Sequence, residues 1–234
     1  MAESDSVQRL NDYFKDRKTH HFLNVGYPIF EHLLSLNHTD NGYSSVLWAP
    51  RWSYHPFRGG SHFFEYKELF ESYRRNVNHL TVRPHPLMWE NFQKENLISK
   101  EEIKLVHDRW RVLDIEEDTN PSFLPEFEKA DILVSDPSSI IALYLLTGKP
   151  IVFCPKEPYN YNELSDLMKT IFPGLYIARS EEELISVLDM LTQRKDDPLK
   201  PIRNQIIEEN FLYNYGATEH ILDELRNDCS ESVS

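Results

Sequence analysis

The segment ADILVSDPSSIIALYLLTGKPIVF, from Ala130 to Phe153, constrains this chain more than any other stretch. Asp131 to Asp136 is a short run rich in Ile, Leu and Val, the composition of a buried strand. It ends in Asp136-Pro137-Ser138-Ser139, where Ser138 or Ser139 can cap the apolar segment Ile140 to Leu146 as a helix. Gly148 follows where a helix end takes a left-handed residue, and Lys149-Pro150 leads into a second apolar run, Ile151 to Cys154. Strand, polar turn, helix and strand in so short a stretch belong to a parallel α/β sheet. The turn then lies at the carboxyl edge of the sheet, where such proteins bind ligands, and a helix amino terminus at that edge favours phosphate. Capping alone accounts for the two serines equally well, and the turn lacks the glycines of the standard nucleotide loops.

The same alternation runs through the rest of the chain. Strands are expected at Val46 to Ala49, Leu80 to Arg83, Arg111 to Asp114, Asp131 to Ser135, Ile151 to Cys154 and Leu175 to Ala178. Helices are expected between them at Phe63 to Val77, Pro86 to Asn96, Pro121 to Lys129, Tyr161 to Ile171 and Glu181 to Gln193. Ser99 with Glu102 and Ser180 with Glu183 have the spacing of capping boxes. The pattern predicts an α/β fold, a Rossmann-like parallel sheet with helices on both faces, over residues 44–228. Residues 1–43 carry a short amphipathic helix from Val7 to Asp16, a helical segment from Ile29 to Leu36 and a loop from Asn37, and read as a helix and linker. Ile202 to Leu212 and Ala217 to Asn227 read as closing helices, with residues 229–234 frayed.

Charge narrows the partners. A formal net charge of −13 argues against the basic face that nucleic acid or an anionic membrane requires. Against that background, Val46 to Trp89 holds six Lys or Arg, three Asp or Glu and four histidines. Arg51, Tyr54, His55 and Arg58 follow the first expected strand, and Arg83 and His85 follow the second. Cations at strand carboxyl ends make an anion-binding rim, with a solvated basic loop as the alternative. In Arg83-Pro84-His85-Pro86 two prolines fix the backbone around one histidine, which suits a side chain that donates to a pyrophosphate oxygen. A structural role for the same histidine is the competing reading. Trp48, Trp52 and Tyr54 can stack on a base or belong to the core.

The remaining histidines show no H-E-x-x-H or paired Cys/His spacing, so no metal is expected, and with no G-x-S-x-G elbow the Ser138-Ser139 turn reads as a phosphate or capping turn more than a nucleophile. Cys154 sits in an expected core strand and Cys229 in a polar tail, which argues against a disulfide and fits a reducing cytoplasm. The amino terminus lacks a signal-peptide core, and the longest apolar run is far short of a membrane span.

Taken together, Val46-Leu47-Trp48-Ala49-Pro50-Arg51-Trp52, Arg83-Pro84-His85-Pro86, Ala130 to Ser139 and Gly148-Lys149-Pro150-Ile151-Val152-Phe153 resemble the CDP-glycerol glycerophosphotransferases, which include teichoic acid polymerases and capsule enzymes. Gly26-Tyr27-Pro28 resembles the segment where those proteins pass from their first domain to their second. The resemblance implies the carboxyl-terminal, donor-binding half of a GT-B fold. It implies that His85 contacts the donor pyrophosphate and that Asp136, Ser138 and Ser139 form a phosphate-binding turn; the cations read after the strands then join them, Arg83 binding the pyrophosphate with His85 and Arg51 lying on the donor-binding rim. The reaction implied is attack of an acceptor hydroxyl on the glycerol-linked phosphorus of CDP-glycerol, releasing CMP to build a surface polymer, with no cofactor. The partners implied are a nucleotide-activated donor, a polymer acceptor, and a separate amino-terminal half or a membrane-associated synthesis complex at the inner membrane surface.

The sequence departs from the family at two points. The histidine-glycine motif of the first domain has no counterpart before Gly26, since His20 and His21 lack the neighbouring glycine, so the site is expected to be incomplete without an amino-terminal domain. Leu143 stands where the family commonly carries an acidic residue. A nucleotide-sugar glycosyltransferase domain for capsule polysaccharide and a non-catalytic nucleotide- or phosphate-binding module are the alternative readings.

Overall fold

The computed structural model describes residues 2–14, 22–36, 43–56 and 59–231. Arg58, His20, His21 and His38, the expected loop from Asn37, the Cys229 side chain and residues 232–234 lie outside what it describes. The chain divides into two units, one of residues 1–36 with 207–234 and one of residues 37–206.

Six parallel strands form the sheet: β1 (Ser45–Ala49), β2 (His79–Val82), β3 (Glu116–Glu117), β4 (Ile132–Ser135), β5 (Ile151–Phe153) and β6 (Tyr176–Ile177). Their spatial order is β3-β2-β1-β4-β5-β6. Val46 pairs with Leu80 on one side and Ile132 on the other, so β1 is central. The chain moves outward from β1 to β3, then returns across the sheet to β4. The reversal makes the β1/β4 boundary the topological switch point, where a crevice opens outside the strand carboxyl ends.

The helices are α1 (Ala2–Phe14), α2 (Pro28–Ser35), α3 (Phe63–Tyr73), α4 (Met88–Lys94), α5 (Lys100–Val112), α6 (Leu124–Lys129), α7 (Ile140–Leu145), α8 (Asp166–Ile171), α9 (Glu181–Thr192), α10 (Lys200–Asn210) and α11 (Ala217–Glu231). Val46, Trp48, Leu80, Val82, Ile132, Val134 and Val152 share one core with residues of α3, α4, α5 and α9. Leu47, Leu133, Ile151 and Phe153 alternate with these along the strands and are equally buried, so both faces of the sheet are covered. On α3 the buried residues Phe63, Tyr66, Phe70 and Tyr73 recur every three or four positions, and Phe63 and Phe70 stack on the Trp48 ring at 5.8 and 4.5 Å. That stack fixes where the chain leaving β1 re-enters a helix.

The third expected strand is displaced. Arg111 to Asp114 closes α5 and the turn after it, and the strand is the short pair Glu116–Glu117. The reason is local: Ser99 and Glu102 form a complete capping box that starts a helix, and Ile103, Val106 and Trp110 give it a buried face that carries it through Val112. At α9 the box is half formed, because Ser180 accepts from the Glu183 amide while the Glu183 carboxylate accepts from the Arg179 amide.

In the smaller unit, the Glu31 carboxylate of α2 accepts from the amides of Gly216 at 2.9 Å and Thr218 at 3.0 Å, tying it to the start of α11. No helix among the described residues is long and apolar enough to cross a membrane.

Candidate functional site

Beyond the ends of β1, β2 and β4 lies a cavity of about 110 Å³, lined by Ala49 to Arg51, Arg83 to Pro86 and Ser138 to Ile140. Three separate strand ends therefore bring Arg51, Arg83, His85, Ser138 and Ser139 to one place.

Asp136 organises this edge from beneath. Its carboxylate is fully buried and accepts from the Arg51 amide at 2.8 Å, the Ser61 hydroxyl at 3.0 Å and the His62 amide at 3.2 Å. Burial pushes its pKa up to about 7, against the pull of those three donors. Asp136 thus holds the chain after β1 and the start of α3 together, and does not line the cavity. Ser61 and His62 escape a reading of the sequence by motif. The signal for them is the glycine pair just before: Gly59 has φ +88°, and a Cβ there would lie 2.9 Å from Arg51 Nη1 and 3.0 Å from Pro137 Cβ.

The Arg51 guanidinium donates to the Pro137 carbonyl at 2.6 Å, which joins the ends of β1 and β4 and holds positive charge at the cavity wall. His85 is clamped by its own turn. Its amide donates to the Pro50 carbonyl at 3.1 Å, and its carbonyl accepts from Met88 at 2.7 Å. Helix α4 accordingly begins at Met88 and not at Pro86. The Leu87 amide donates to His85 Nδ1 at 3.2 Å, which assigns the neutral ring's proton to Nε2. Partial burial, and then the charge of Arg51, lower the His85 pKa, so the ring is a neutral donor near pH 7.

Arg83 behaves differently. Its guanidinium forms an ion pair with the buried Asp118 and donates to the carbonyls of Asn120 at 2.9 Å and Ser122 at 3.3 Å. It lines the cavity while its charge is committed to the turn after β3. Ser138 lies within 3.2 Å of the Ser135 hydroxyl. Ser139 occupies the cap position of α7 with helical φ and ψ of −66° and −19°, and its side chain makes no capping bond. A hydroxyl caps from extended backbone, so the conformation explains why the expected cap does not form. Ser139 is exposed at the cavity instead.

Other residues singled out in the sequence sit elsewhere. Trp48 is core. The Tyr54 ring lies 3.5 Å beneath the Lys156 ammonium, with its hydroxyl 3.3 Å from Glu65. His55 faces Glu95 at 3.4 Å. Among the described residues no three His, Cys, Asp or Glu side chains gather as a cation site.

A parallel sheet in the order 3-2-1-4-5-6, with cationic and hydroxyl side chains gathered around a cavity at its switch point, defines a Rossmann-like α/β domain. The family model for CDP-glycerol:poly(glycerophosphate) glycerophosphotransferase matches residues 14–223, and the chain belongs to that family. A structure of the wall teichoic acid polymerase TagF is similar at 18% identity and TM-score 0.56, covering 90% of this chain and 53% of that one. A TagF variant structure described as soaked with CDPG is similar at 17% identity and TM-score 0.53, covering 90% of this chain and 51% of that one. The sheet and its surrounding helices thus share the fold of that polymerase, and the chain spans about half its length. No curated protein matches.

Proposed function

We propose that this chain supplies the donor-binding half of a CDP-glycerol glycerophosphotransferase, with the cavity beyond β1, β2 and β4 holding the pyrophosphate. The observation that carries the reading is the convergence of Arg51 and His85, from different strands, with Ser138 and Ser139 on one cavity in a member of this family. Arg51 provides fixed charge, and the Nε2–H of His85 and the two hydroxyls provide donors. When the acceptor hydroxyl attacks the glycerol-linked phosphorus, negative charge builds on the oxygen that leaves with CMP. A donor already aimed at that oxygen stabilises it more in the transition state than in the ground state. Arg83 acts one step back, holding the turn after β3, and Asp136 holds the loops that place Arg51 and Ser61. The base that activates the acceptor is assigned to residues outside this cavity.

Calorimetric titration with CDP-glycerol, CDP-ribitol, UDP-glucose and CMP tests the donor class. Selective binding of the cytidine ligands is expected. Tighter binding of UDP-glucose would move the reading to a nucleotide-sugar glycosyltransferase, and equal binding of all four would leave a phosphate-binding module.

A further inference from the structure

The cavity, at about 110 Å³, falls below the roughly 300 Å³ at which pockets begin to enclose whole small molecules. It accommodates phosphate groups, so the rest of a nucleotide donor rests on the rim. An aromatic face is the side chain best suited to a nucleobase there, because every base presents a π face and stacking needs no hydrogen-bond match.

Three aromatic residues follow each other closely at the end of β1, and the structure separates them. Trp48 is packed between Phe63 and Phe70 in the core, and Tyr54 is covered by Lys156. Trp52 is partly exposed, and its ring touches on both of the cavity's recognition residues: the His85 ring centroid is 6.3 Å away, and the Arg51 guanidinium carbon is 5.8 Å from the indole centroid. It is thereby held beside the phosphate site from two directions. Tyr159, near enough to Arg51 to feel its charge, is instead packed against Phe153 and Tyr161 at 5.6 and 5.0 Å.

We propose that Trp52 is the shelf on which the nucleobase of the donor stacks while its phosphates occupy the cavity; this rests on the nucleotide-donor reading of the same edge. The turn that fixes His85 and the contact that fixes Arg51 then set the spacing between base and phosphates, and recognition of the nucleoside is separated from recognition of the pyrophosphate.

The separation is testable by titrating cytidine 5′-diphosphate and inorganic pyrophosphate into the full chain, Trp52→Leu and Tyr159→Leu, with circular dichroism to verify folding. Leucine keeps apolar packing and removes the π face. The wild-type chain is expected to bind the nucleotide more tightly than pyrophosphate. Trp52→Leu should weaken the nucleotide about tenfold and pyrophosphate less than about twofold, with Tyr159→Leu changing neither. Equal losses for both ligands would make Trp52 a mere support of the cavity, and no loss, or a selective loss in Tyr159→Leu, would likewise overturn the inference. Pyrophosphate bound as tightly as the nucleotide by the wild-type chain sinks the Trp52 shelf alone. Failure of the wild-type chain to bind either ligand sinks the phosphate site itself.

Discussion

His85 carries two opposed pH dependences. Its folded pKa lies below the ordinary 6.5, so the neutral ring is favoured in the native state. The stability this contributes is present above 6.5 and is lost as pH falls through the folded value. A bound pyrophosphate reverses the preference, since the anion favours the protonated ring. Affinity for a pyrophosphate donor should therefore rise as pH is lowered from about 8 toward 6, with proton uptake on binding, and His85→Gln should flatten the slope. Calorimetry in buffers of different ionisation enthalpy reads both effects. Asp136 works in the other sense. Its folded pKa of about 7 exceeds the ordinary 3.8, so the native state holds the proton more tightly. Its contribution is complete below 3.8 and is lost as pH rises through about 7, a slope that urea denaturation should show and Asp136→Asn should remove. Asp136→Ala, which orphans the Arg51 and His62 amides, should cost about 2–4 kcal/mol below about pH 4, where the Asp136 contribution is complete, and less as pH rises toward 7. Arg51 and His85 were legible from the sequence because cations after strands and a proline-locked histidine are positional signals. The commitment of Arg83 to Asp118 was not, because a partner 35 residues away leaves no mark on local spacing.

Among the elements, the Ala130–Phe153 segment forms as its composition dictates, β4, turn, α7 and β5, with Gly148 at φ +70° ending the helix. The Ser139 cap fails because the turn is already helical there. Lys149 has a role that no motif announces. Its ammonium, half-buried, donates to the carbonyls of Phe127 at 2.7 Å, Glu128 at 3.0 Å and Ala130 at 2.7 Å, closing the carboxyl end of α6 beside β4. Lys149→Met should lower stability by about 1–3 kcal/mol in urea while leaving donor affinity unchanged, because the residue sits at the opposite ends of the strands from the cavity. The edge strand β3 was misplaced for a physical reason: two acidic residues have no strand signature, and their pairing with Thr81 and Val82 is settled by the sheet.

At the scale of the molecule, strictly alternating strands and helices predicted the parallel sheet, but strand order is not written in alternation. The order β3-β2-β1-β4-β5-β6 is what places three cavity-forming turns side by side. The smaller unit, in which α2 meets α11 through Glu31, joins segments nearly two hundred positions apart, a pairing that helical periodicity alone does not reveal. Binding of a donor pyrophosphate at this edge through His85 is tested most directly by calorimetric titration of CDP-glycerol into the wild-type chain and His85→Ala. One site is expected in the wild-type chain, weakened at least about tenfold, or ~1.4 kcal/mol, by the substitution, with a melting temperature within about 2 °C. Equal affinity in the two proteins, or loss of the fold in His85→Ala, would contradict it and leave the histidine as a brace for the turn between β2 and α4.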